Sequence, residues 1–148
     1  MKRPFHDVPP FLQAAVSPAK RRVALVVGNG AYTSAPTLRN PTKDARKIGE
    51  VLARHGFHVI EGHDLGRDAM EDKLGEFEAA IAASEAALLF FSGHGLQVEG
   101  HNYLTPVDAD IRQEVHLKRR AFRVDEVLDI MVRRARSREL APQFRTVR

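Results

Sequence analysis

The sequence predicts an α/β fold: a three-layer α/β/α sandwich with a mostly parallel sheet. Three observations carry this. Three short apolar runs, "VALVVGN", "FHVIEG" and "AALLFFSGHG", are too short for helices and largely lack polar alternation, as strands buried on both faces must. Between them lie stretches with apolar residues at helical spacing. The order β-α-β-α-β-hairpin-α, joined by right-handed crossovers, then puts helices on both faces of a parallel sheet. At 148 residues, 43% hydrophobic and 28% charged, the chain has the composition of one globular domain able to bury a core.

Residues 1–20 are proline-rich and without periodicity, so they read as a tail or linker ahead of a domain over 21–135. "RRVALVVGN" is the first buried strand, and the proline-containing loop "GAYTSAPTLRNPT" follows it. Thr42 is the expected N-cap of a helix over 43–55, with Ala45, Ile48, Val51 and Leu52 on its inner stripe and Gly56 as its stop. After the second strand, "RDAMEDKLGEFEAAIAASE" gives a helix with Met70, Leu74, Phe77 and Ile81 inward. The third strand ends in "SGHG". "LQVEGHNYLTPVDA" alternates about Glu99-Gly100, the mark of a small hairpin. "RVDEVLDIMVRRARSREL" is a last helix with Val124, Val127, Leu128 and Met131 inward and Asp125 in its first turn. Residues 136–148 read as a basic tail.

Composition removes several function classes. No segment approaches the ~18 apolar residues of a membrane span. The basic opening is followed only by "FLQAAV", broken by Gln13, which makes a poor export signal; the expected location is the cytoplasm, a lost upstream signal before the cleavage-like "AAVSPA" being the alternative. The chain has no cysteine, hence no disulfide, thiolate metal site or cysteine nucleophile of its own. The net charge of +4 comes largely from Lys118, Arg119, Arg120, Arg123, Arg133, Arg134, Arg136, Arg138, Arg145 and Arg148; without interleaved aromatics these read as a solvated helix face rather than a nucleic-acid site.

The motif candidates narrow further. "GNGAYT" has Thr33 where a dinucleotide-binding turn needs its third glycine, Pro36 follows, and no helix starts there to receive a pyrophosphate. His55, His58 and His63 span a helix end, a strand and a loop, so their imidazoles do not converge on a metal, and no cofactor is expected. Ser92 lacks the G-x-S-x-G elbow of a serine hydrolase. What remains is His94 between two glycines at the carboxyl end of a central strand, where α/β sheets place their reacting groups. A histidine there serves as general base or acid, and the unobstructed amide of Gly95 can hold an oxyanion. This is half of a Cys-His dyad.

"RRVALVVGNGAY", "RNPTKDA", "FFSGHGLQVEGHNYLTPVDA" and "VDEVLDIM", in this order, resemble the bacterial caspase-like cysteine peptidases, relatives of metacaspases and caspases, over roughly residues 21–132. The resemblance implies a caspase-like sandwich acting on protein or peptide substrates, with His94 as the dyad histidine and the Gly95 amide in the oxyanion hole. It also implies that Asp44 lines a pocket for a basic side chain at the cleavage position, whereas helix chemistry alone explains Asp44 as a charge in a first turn. The family's cysteine follows a fourth strand, about 50 residues beyond the histidine. Here "ELAPQFRTVR" occupies that place, and Thr146 on an unstructured tail is no substitute for it.

The sequence therefore reads as a caspase-like domain incomplete at its C-terminal side: truncated, or completed by a second chain that supplies strand and cysteine, or a non-catalytic binding module. Alone it is expected to be inactive. Without a fourth strand, the apolar run 87–91 becomes a sheet edge, which predicts self-association.

Overall fold

Strand β1 (Arg21–Gly28) is buried from Val23 to its end, and its side chains divide between two cores. The computed structural model describes residues 21–110, 114–134 and 143–147. Val23, Leu25 and Val27 face one side, Ala24 and Val26 the other, as a two-residue period demands. β2 (Phe57–His63) and β3 (Ser84–Ser92) pair with β1 in parallel, one on each edge.

Helix α1 (Pro41–Arg54) covers the Ala24–Val26 side, with Ala45, Ile48 and Leu52 packed on Phe90 and Leu88. Helix α2 (Arg67–Ile81) covers the opposite side through Met70, Phe77 and Ile81. The three-layer sandwich expected from the strand runs is thus present, and strands apolar on both faces are its direct cause.

The hairpin is β4 (Gly95–Val98) with β5 (His101–Leu104), antiparallel, and both turn residues have positive φ, 52° at Glu99 and 79° at Gly100. That is the two-residue geometry whose twist suits a hairpin. Two elements were not expected: a short helix α3 (Glu114–Arg120) and strand β6 (Phe122–Arg123), which pairs with β5. Helix α4 (Val124–Arg134) follows without a break and seats Val124, Val127 and Met131 beside α2. The rest of the helix expected up to residue 140 lies outside the described residues.

Some boundaries move for identifiable reasons. α1 starts at Pro41, with Asn40 rather than Thr42 as its N-cap residue; proline suits a first helical position because its fixed φ is helical and its missing N–H is not needed there. α2 stops at Ile81, four residues short of expectation, because Ser84 already pairs with Arg21 while its hydroxyl donates to the Ala80 carbonyl at 2.8 Å. Among the described residues no helix is long and apolar enough to cross a membrane.

One correction concerns the sheet edge. Residues 143–147, expected to be part of a structureless tail, form β7 (Gln143–Val147), which pairs in parallel with β3 from Leu88 to Ser92. The sheet order is β2-β1-β3-β7. β3 is therefore interior, and the uncovered edge that predicted self-association is not there. Thr146, dismissed as a residue of an unstructured tail, stands in this strand opposite Phe91.

α1 and β1 meet most closely at Gly28, where an added Cβ would come within 2.1 Å of the Pro41 carbonyl oxygen and 2.9 Å of the Ala45 Cβ. The first obstacle is backbone and cannot swing away. Gly28→Ala should therefore push the start of α1 off the sheet and cost about 1–3 kcal/mol in urea unfolding, within the range of overpacked sites. A variant as stable as the parent would show that this contact is not fixed.

Candidate functional site

The carboxyl ends of β1, β2 and β3 are tied together by one buried residue. Asn29, fully buried, follows β1, and its amide N–H donates to the Ser92 carbonyl at the end of β3. Its side-chain oxygen accepts from the Leu65 N–H at 2.9 Å, while Nδ2 donates to the Thr105 carbonyl at 3.1 Å and more weakly to that of Leu65 at 3.4 Å. Asp64, with φ of 50°, turns its carboxylate onto the Gly30 and Ala31 amides at 2.8 and 3.0 Å. Asp108 accepts the Arg67 N–H at 3.0 Å and so caps the start of α2 from a distant loop.

This frame presents His94 in the two-residue step between β3 and β4. Its backbone N–H donates to the Tyr32 hydroxyl at 2.9 Å, and its carbonyl accepts from the Thr105 hydroxyl at 2.5 Å. The imidazole leans on the Tyr32 ring, centroids 4.6 Å apart and planes at 58°. Nε2 lies 2.8 Å from the Pro36 carbonyl oxygen. A carbonyl only accepts, so Nε2 donates to it, and in the neutral imidazole the lone pair then sits on Nδ1. Nδ1 has no partner among the described residues. The half-buried His94 is thus held at its backbone, at Nε2 and on one ring face, while Nδ1 is unengaged by the described residues.

Gly95 opens β4 and pairs with Leu104, which places its amide one peptide beyond the histidine. Asp44 lies in the first turn of α1, the turn that abuts Gly28, so it belongs to the same end of the sheet; its N–H donates to the Asn40 carbonyl at 2.8 Å. Its carboxylate has no bond to His94. The three sequence-predicted residues therefore share one end of the sheet, His94 and Gly95 as neighbours and Asp44 in the first turn of α1. The histidines set aside as metal ligands diverge: His55 bonds the Val51 carbonyl at 2.7 Å, His63 bonds Glu61 at 2.7 Å, and His58 is exposed.

Sequence reasoning missed Tyr32, Thr105 and Asn29. Each lay inside a quoted motif, but none is titratable near neutral pH or nucleophilic by context, so nothing local marked it. Burial pushes the Tyr32 phenol above its ordinary range of about 10, against the opposing effect of its contacts with Thr105 and the His94 backbone.

Residues 21–137 match the family model described as caspase domain. Over 91 residues the chain is 33% identical to human mucosa-associated lymphoid tissue lymphoma translocation protein 1 and, equally, to the mouse homolog. The match takes in 62% of this chain but only 11% of those relatives. Among solved structures, the Drosophila initiator caspase Dronc superposes with a TM-score of 0.63 at 14% identity, over 86% of this chain and 49% of its own. A Geobacter sulfurreducens protein superposes at 0.65 with 18% identity, over 85% and 49%. These likenesses show the caspase-like α/β fold.

The raised Tyr32 pKa has a consequence for stability. A phenol harder to ionise in the folded state contributes stability that is fully present below its unfolded pKa, about 10, and is lost as pH rises through the folded value. Urea unfolding followed from pH 8 to above pH 10 should show the parent losing stability relative to Tyr32→Phe. Parallel curves would mean that the hydroxyl is not linked to folding.

Proposed function

The chain belongs to the caspase-domain family, and from that premise we propose that it provides the histidine half of a cysteine-type endopeptidase site acting on protein or peptide substrates. The observation that carries this reading is the His94 arrangement: Nε2 against the Pro36 carbonyl and Nδ1 unengaged by the described residues, at the carboxyl end of the central strands. Nδ1 takes the proton of a thiol, and the thiolate attacks the scissile carbonyl carbon. The oxyanion that forms is met by the Gly95 amide. Nδ1 then returns its proton to the leaving nitrogen as the C–N bond breaks to a thioester, which water hydrolyses. Asp44 supplies the negative charge for a basic side chain beside the scissile bond. It stands half-buried in a first turn, with no ion pair among the described residues to neutralise it.

These 148 residues contain no cysteine, so the thiol must come from outside them, on a continuation of the polypeptide or on a complementary chain. The protein as given is inactive by this reading. A second reading, a non-catalytic caspase-fold module that binds protein partners, draws support from β7, which already occupies the edge of β3 beside the site.

Two measurements separate them. The 148-residue protein should show no thiol-dependent cleavage of Arg- or Lys-terminated reporter peptides, and co-expression with a family strand bearing cysteine should create it. His94→Ala should then lower turnover by about 10²–10⁴-fold, the usual worth of a positioned base. Cleavage by the protein alone that His94→Ala abolishes would refute the need for an outside thiol, and tight association with the segment without turnover would favour the binding module.

In the active assembly, Asp44→Ala should reduce kcat/KM for Arg peptides roughly 10- to 100-fold, as loss of one charged hydrogen bond implies. Thermal stability should change little. Equal losses in both would return Asp44 to a helix-terminal role.

A further inference from the structure

The contacts among Tyr32, His94 and Thr105 close a cycle in which each of the two hydroxyls has one proton to give. The Tyr32 hydroxyl donates to the Thr105 carbonyl at 3.0 Å. The single Thr105 hydroxyl proton has two acceptors in reach, the His94 carbonyl at 2.5 Å and the Tyr32 oxygen at 3.1 Å, and the nearer takes it. The His94 N–H returns to the Tyr32 oxygen at 2.9 Å. Both backbone polar groups of His94 are thus satisfied by two side chains, and Tyr32 belongs to the loop that also carries the Pro36 carbonyl. That loop is closed on itself by the Tyr32 and Leu38 amides, which donate to the Gly30 carbonyl at 3.0 and 2.8 Å.

We propose that Tyr32 is a positioning residue for His94: its hydroxyl locks the Pro36-bearing loop to the His94 backbone and thereby holds the imidazole with its proton on Nε2 and its base at Nδ1. The role rests on the reading of His94 as the proton-transfer residue. The pieces are mutually fitted. A Cβ on Gly93 would stand 2.6 Å from the Tyr32 oxygen and 2.9 Å from the Phe91 ring, so a side chain at 93 would evict the hydroxyl. Tyr32 is only 4% exposed, so water cannot replace the lost bonds freely. Burial also keeps the phenol protonated, the form that donates to Thr105.

Phenylalanine would keep the ring against the imidazole and lose the tie. The test is nitrogen-15 NMR of the 148-residue protein itself, which needs no nucleophile. In the parent, the His94 Nε2–H should give a slowly exchanging signal, with Nδ1 at the shift of an unprotonated nitrogen. Tyr32→Phe should speed exchange of that proton at least about tenfold, the factor that one ordinary hydrogen bond implies, and move the Nδ1 shift toward the tautomer average. Gly93→Ala, which displaces the hydroxyl without touching Tyr32, should do the same. Melting curves set the measurement temperature well below unfolding for each variant. If Tyr32→Phe lowers the melting temperature yet leaves the Nε2–H exchange and the Nδ1 shift as in the parent, Tyr32 is a structural residue only and the proposal is wrong. Failure of the peptidase reading gives a different pattern, an assembly without turnover while the NMR differences persist.

Discussion

The Asn29 side chain is the constraint on which the end of the sheet depends. A buried primary amide has two donors and an acceptor to satisfy, and this one bonds the loop after β2 at Leu65 and the loop after β5 at Thr105, while its backbone holds β3 at Ser92. Three segments far apart in sequence are thereby set in one place. Thr105 then reaches the His94 carbonyl, and the Asn29 backbone enters the loop that delivers Tyr32 and Pro36. Replacing it would orphan the Leu65 N–H and leave the Thr105 carbonyl without one donor, each unmet group costing about 1–3 kcal/mol when buried. The geometry of His94 is in this sense inherited from a residue that never touches it.

What the sequence made legible was what period and turn chemistry encode. The near-continuous apolar runs of β1 and β3 could be stable only when covered on both faces, and α1 and α2 cover them. Glu99-Gly100 could accept two positive φ angles, and the hairpin followed. The place of His94, just past the end of a central strand, was readable for a related reason: the apolar run stops there between two glycines. Asn29, Tyr32 and Thr105 were not readable. Their importance arises from partners 11 to 76 residues away, and no local pattern announces such a pairing.

β7 failed to be legible for a different reason. "QFRTV" has one aromatic and one β-branched apolar residue, with an arginine among them, weak as a strand by itself. A strand added to an existing edge needs less intrinsic propensity, since β3 already presents ordered donors and acceptors and burying them unpaired is costly. Propensity was overridden by the template. α3 and β6 escaped notice similarly: "EVHLKRR" is a short, charged helix without an apolar stripe, and Phe122–Arg123 is a strand only because β5 lies beside it.

The covered edge changes how the missing cysteine should be understood. Had β3 been open, a second chain could add its strand at no cost beyond its own ordering. With β7 paired from Leu88 to Ser92, an incoming strand must either continue the sheet outside β7, one strand spacing of about 4.8 Å further from His94, or take the place of β7. The first course leaves a thiol out of reach of Nδ1, since proton transfer needs heavy atoms about 2.6–3.2 Å apart. Under the proposed peptidase reading, completion of the site by another chain would therefore be a strand exchange and not a simple addition. A nucleophile carried on a continuation of this polypeptide meets the same geometry, for it too must approach His94 from the edge that β7 now occupies.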